Sequence, residues 1–80
     1  MDVRFFAGAA EAAGATLRTI DVEPTQTVAD VVDSLAGNDD HLARVLEVSS
    51  LLLDGTRVND RGSAVGDAAQ LDVLPPFAGG

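Results

Sequence analysis

The sequence has 80 residues, room for one domain and no second, and a chain this size buries only about 60–65% of the surface its unfolded form exposes. Thirteen acidic residues face five arginines, with no lysine and no cysteine, for a net charge of −8. This excludes disulfides, thiolate metal sites and cysteine nucleophiles, disfavours nucleic acid as a partner, and leaves little core to spend on a substrate pocket of roughly 300 Å³.

Composition therefore favours a carrier, adaptor or subunit over an independent enzyme. The acidic surface suits either a partner protein with a basic surface or solubility alone. No apolar run approaches a membrane span, and MDVRFF lacks the basic and long apolar regions of a signal peptide, so no membrane contact is expected and the cytoplasm is the expected compartment.

In chain order, Val3–Phe6 is a β-branched and aromatic run that reads as a first strand, with Val3 and Phe5 on one face and Arg4 and Phe6 on the other. The alanine-rich AGAAEAAG predicts one or two helical turns stopped by Gly14. Thr16–Glu23 predicts a second strand with imperfect alternation, since Leu17 is out of phase with Ile20 and Val22; a bulge or bend near Arg18-Thr19 would reconcile the halves. Pro24 ends it.

In TVADVVDSLAG, Val28, Val31, Val32 and Leu35 form one apolar helical stripe, with Thr27 at the N-cap, Asp30 in the first turn and Gly37 past the end. His41–Glu47 repeats the helical spacing through Leu42, Val45 and Leu46, with Asn38, Asp39 or Asp40 as cap. Asp54-Gly55 between apolar stretches predicts a hairpin. The segment 61–70 reads as loop, and LDVL closes the sheet, with Leu71 and Val73 alternating against Asp72 and Leu74. This order predicts the α+β class, a mixed sheet with helices on one face, over residues 1–74, followed by an extended tail over 75–80.

Few residues suggest chemistry. His41, the single histidine, follows Asp39-Asp40, but neighbours on one turn rarely converge on a metal, and a surface helix start explains them. Neither common phosphate-binding glycine pattern is present. Two features remain. Phe6 and Leu74, with Leu52, are expected to face away from the helices, forming an apolar patch suited to a partner or merely scattered exposed side chains.

The other feature is the ending PPFAGG. Pro75-Pro76 favours an extended spacer, Phe77 can anchor in a partner's groove, and Gly79-Gly80 can pass through a narrow tunnel. The Gly80 carboxylate, once activated by ATP as an acyl-adenylate, becomes a mixed anhydride open to a sulfur or nitrogen nucleophile. On composition alone, plain disorder explains such a tail equally well.

Together, FFAGAAEAAG, TVADVVDSLAG and LDVLPPFAGG resemble the opening strand and short helix, main helix and closing diglycine strand of the MoaD/ThiS family of ubiquitin-like sulfur carriers. The resemblance implies a β-grasp fold without a bound cofactor. Gly80 would be adenylated by an E1-like adenylyltransferase that uses ATP, then converted to a thiocarboxylate by a sulfur donor protein. The opening segment resembles the MoaD branch, the small subunit of molybdopterin synthase, whose tail enters the large subunit to build the molybdenum cofactor. In that role Gly80 is the covalent site, Gly79 gives clearance, Pro75 and Pro76 direct the tail, and Phe77, Phe6 and Leu74 meet the partner. Ala10, where many such sequences carry arginine, and AAQLDV before the last strand depart from the pattern. The alternatives are a carrier for thiamin or cysteine synthesis, a modifier attached to lysines of other proteins, and a ubiquitin-like module that binds without activating its terminus.

Overall fold

A computed structural model describes residues 1–76. The chain folds as β1 (Asp2–Phe5), α1 (Gly8–Ala13), β2 (Leu17–Thr19), α2 (Val28–Ala36), α3 (Asp40–Val48), β3 (Ser50–Leu53), β4 (Thr56–Arg57) and β5 (Gln70–Leu74). The sheet order is β2-β1-β5-β3-β4. β1 and β5 run parallel at its centre, and the other pairings are antiparallel. This is the mixed, one-sided arrangement expected from the order of elements.

The core is the meeting of two periodicities. Period 2 turns Val3, Phe5, Leu51, Leu71 and Val73 inward from the sheet, and period 3.6 brings Val28, Val31 and Leu35 of α2 and Leu42, Val45 and Leu46 of α3 onto them. Thr27 caps α2 reciprocally: the Asp30 N–H donates to its hydroxyl at 3.0 Å, and the Thr27 N–H donates to the Asp30 carboxylate at 3.1 Å. Asp39 caps α3 by accepting the Leu42 N–H at 3.0 Å. At the other end of α3, Arg61 donates to the carbonyls of Leu46 and Ser49 at 3.0 and 2.7 Å, satisfying acceptors that the helix leaves open.

The hairpin forms where Asp54-Gly55 stands. Both residues have positive φ, 46° and 82°, as a tight two-residue turn requires. The Asp54 carboxylate also accepts the Ala69 and Gln70 N–H groups, tying the turn to the start of β5.

One expectation is corrected. β2 has three residues, not the eight of Thr16–Glu23, because its only neighbour is β1 and the register ends at Asp2 opposite Thr19. No bulge is needed: Leu17 lies on the outer face opposite Arg4, while Ile20 and Val22, past the strand, pack against the core. The loop from Arg61 to Ala69 is tethered, since Val65 is buried and the Val28 and Ala29 N–H groups of α2 donate to the carbonyls of Ser63 and Arg61. Among the described residues no helix is long and apolar enough to cross a membrane.

Candidate functional site: the open sheet face and the root of the tail

Because successive side chains alternate across a strand, burying Val3, Phe5, Leu71 and Val73 forces Arg4, Asp72 and their register partners outward. One row crosses the whole sheet as Leu17, Arg4, Asp72, Leu52 and Arg57. Beside it, Leu74 lies opposite Ser50 at the end where Phe6 follows β1. Phe6 is 38% exposed and Leu17 54%, whereas Leu52 and Leu74 are half-buried.

An ion pair sits in the middle of this face. Arg4 Nε donates to Asp72 Oδ1 at 2.8 Å and Nη2 to Oδ2 at 3.0 Å, a bidentate fork, and Gln70 Nε2 adds a third donor at 3.2 Å. Asp72 is 5% exposed although it faces outward, because Arg4 covers it. The hydrogen bonds from Arg4 hold the Asp72 carboxyl below its ordinary range, against the opposing effect of burial, and Asp72 in turn raises the arginine. The guanidinium carbon also lies 5.5 Å from the centroid of the Phe6 ring, within cation–π range. Next to this stack, Phe6, Ala7, Ala10, Thr16 and Leu17 line an open groove of about 400 Å³.

The tail leaves from the same edge. The Phe6 N–H donates to Val73 O at 3.1 Å, so β5 ends beside Phe6. Pro75 is buried and Pro76 exposed. Phe77, Gly79 and Gly80, to which the sequence assigns the anchor, the clearance and the covalent site, lie outside the described residues. Of the sequence-derived candidates, the structure thus brings Phe6, Leu74 and Pro75 to one edge, with Leu52 further along the face.

Sequence reasoning missed the Arg4–Asp72 pair and Leu17. Alternation marked Arg4 and Asp72 as outward, but only the pairing of first and last strands shows that they meet. On the opposite side of the molecule, His41 is exposed at the start of α3 and Asp39 is engaged as its cap. Among the described residues no group of three His, Asp or Glu side chains is placed to hold a metal.

A five-stranded mixed sheet with its first and last strands parallel at the centre and helices on one face defines a ubiquitin-like β-grasp domain. The ThiS family matches residues 3–80, and the chain belongs to that family. Among solved structures, SAMP1 from Haloferax volcanii is similar at 31% identity and a TM-score of 0.80, over 100% of this chain and 98% of that one. A second structure, of H. volcanii small archaeal modifier protein 1, gives 30% identity and a TM-score of 0.78 over 95% of each chain. A Pyrococcus furiosus protein assigned as molybdopterin converting factor, subunit 1, shares the fold at a TM-score of 0.78 and 17% identity, with 94% of each chain covered. Comparison with curated proteins gives no match.

Proposed function

We propose that the protein is a sulfur carrier that works through the carboxylate of Gly80. The observation that carries this reading is the ThiS family match over residues 3–80, which contains Gly79-Gly80. An E1-like adenylyltransferase binds the carrier, and the Gly80 carboxylate attacks the α-phosphate of ATP, giving the acyl-adenylate and pyrophosphate. The outer sulfur of a donor protein's persulfide then attacks the carbonyl carbon and AMP leaves, giving an acyl disulfide; a thiol attacks the donor's inner sulfur, so that a disulfide forms and the carrier leaves as the thiocarboxylate. The carrier's part in this chemistry is presentation. Phe6 and Leu74 meet the partner, Pro75 and Pro76 aim the tail, Phe77 anchors it and Gly79 gives clearance. ATP belongs to the partner enzyme, and the setting is the cytoplasm.

The recipient we favour is molybdopterin synthesis, with this chain as small subunit of the synthase and its tail in the large subunit, on the strength of the FFAGAAEAAG segment and the LPPFAGG ending. A second reading rests on the whole-chain likeness to small archaeal modifier protein 1: the activated Gly80 is passed to an amine of another protein. With no lysine in the sequence, a copy so attached offers no side-chain amine to the next.

The test is intact mass after incubation with ATP, an E1-like adenylyltransferase and a sulfur donor. The expected gain is the replacement of one oxygen by sulfur, absent when Gly80 is deleted or followed by one extra residue. An unchanged mass, where a known carrier reacts, would overturn the reading in favour of a module that binds without being activated.

A further inference from the structure

Phe6 is an exposed aromatic whose position is fixed from three sides. Its N–H is held by Val73 O at 3.1 Å. The next residue, Ala7, takes φ 48° and ψ −125°, a region that side-chain-bearing residues rarely adopt. Its ring lies under the Arg4 guanidinium, which is clamped by two bonds to a nearly buried Asp72. Holding a surface ring this way ties up an arginine and strains a backbone, while the ring covers little of the core. Such an arrangement is explained by pre-organisation: a rigid anchor loses less conformational entropy when a partner covers it.

We propose that Asp72 is a positioning residue for partner docking, acting through Arg4 to hold the Phe6 ring in place at the open 400 Å³ groove that Phe6 and Leu17 both line. The inference rests on the carrier reading. The occupant it implies is an apolar side chain of the activating enzyme, seated between Phe6 and Leu17. Charge complementarity supports an apolar occupant. Asp72 has three donors, and its charge is matched by Arg4, so an apolar side chain can lie against Phe6 and the carboxylate without stranding that charge, while the outer N–H groups of Arg4 keep to the rim. Across the outward strand positions two arginines, Arg4 and Arg57, balance two aspartates, Asp2 and Asp72, although the chain carries −8.

The test is a double-mutant cycle, read as KM and kcat for the carrier in ATP–pyrophosphate exchange by an E1-like adenylyltransferase, with folding checked by circular dichroism. Asp72→Asn and Arg4→Lys are each expected to raise KM about three- to tenfold with kcat unchanged, the effect of freeing one interface side chain. Phe6→Ala should raise KM as well, and in that background neither of the other changes should raise it further. Arg4→Lys keeps the cation on an exposed side chain, so it serves if Asp72→Asn fails to fold. In the isolated chain, the ring-current shift of the Arg4 methylene protons should diminish in Asp72→Asn. Effects that add to Phe6→Ala, or an unchanged KM in the single variants, would overturn the proposal. A native chain that supports no exchange, where a known carrier does, would overturn the carrier reading and the docking role together.

Discussion

Ala7 adopts a backbone conformation in which its Cβ is a burden, at an exposed position with no packing to lose. Replacing it by glycine removes strain of order 1–3 kcal/mol and returns part of that through the greater freedom of the unfolded chain. Ala7→Gly should therefore stabilise the fold by about 1 kcal/mol, read as a higher urea midpoint at unchanged m-value. Asp72 makes a prediction of a different kind. Its folded pKa lies below the unfolded value of 3.8, chiefly through the bonds from Arg4. A depressed carboxyl pKa contributes stability that is full above the unfolded value and is lost as the pH falls through the folded one. The stability gap between the native chain and Asp72→Asn should be constant near neutrality and shrink below pH 3.8, which urea titrations at the two extremes would resolve. A gap that grows on acidification would contradict the assignment of the shift to Arg4.

Among the elements, α2 is the best specified. Its stripe of Val28, Val31, Val32 and Leu35 and its Thr27 cap stand in the sequence and in the fold alike, and Asp30 closes the capping box in place of the more usual glutamate. Thr27→Ala should cost about 1 kcal/mol, measured as a lowered thermal midpoint. α3 is short for an isolated helix, and its persistence reflects Leu46, which is fully buried, and the arginine at its C-terminal end. Leu46→Ala should cost about 2–5 kcal/mol and expose the helix to exchange before the sheet. β2 shows the opposite case. Its Thr, Ile and Val content reads as a long strand, yet only Leu17–Thr19 form one, and past Thr19 the hydrogen bonds to β1's segment continue no further than the pair between Met1 and Ile20. A strand's length depends on its neighbour, which composition does not encode.

For the whole molecule, the outward strand positions are balanced in charge, so the net −8 resides on the helical side and the rim. Self-repulsion among these carboxylates opposes compaction and is screened by salt within about 10 Å at 0.1 M. Thermal stability should therefore rise between low salt and a few hundred millimolar sodium chloride, and an unchanged midpoint would show that the charges are too dispersed to matter.

By itself the sequence determined whatever depends on near neighbours along the chain. The helical stripes, the Thr27 cap, the Asp54-Gly55 turn and the inward sides of the strands follow from spacing and local hydrogen bonding. It also marked Phe6 and Leu74 as outward and Gly79-Gly80 as the candidate for chemistry. Only the tertiary structure decided that the first and last strands lie side by side, joining Arg4 to Asp72 across a separation of 68 residues and setting Leu17 in the same row. The reason is physical: alternation fixes which face a side chain takes, whereas its neighbour on that face depends on strand pairing and register, which the packing of the whole chain selects.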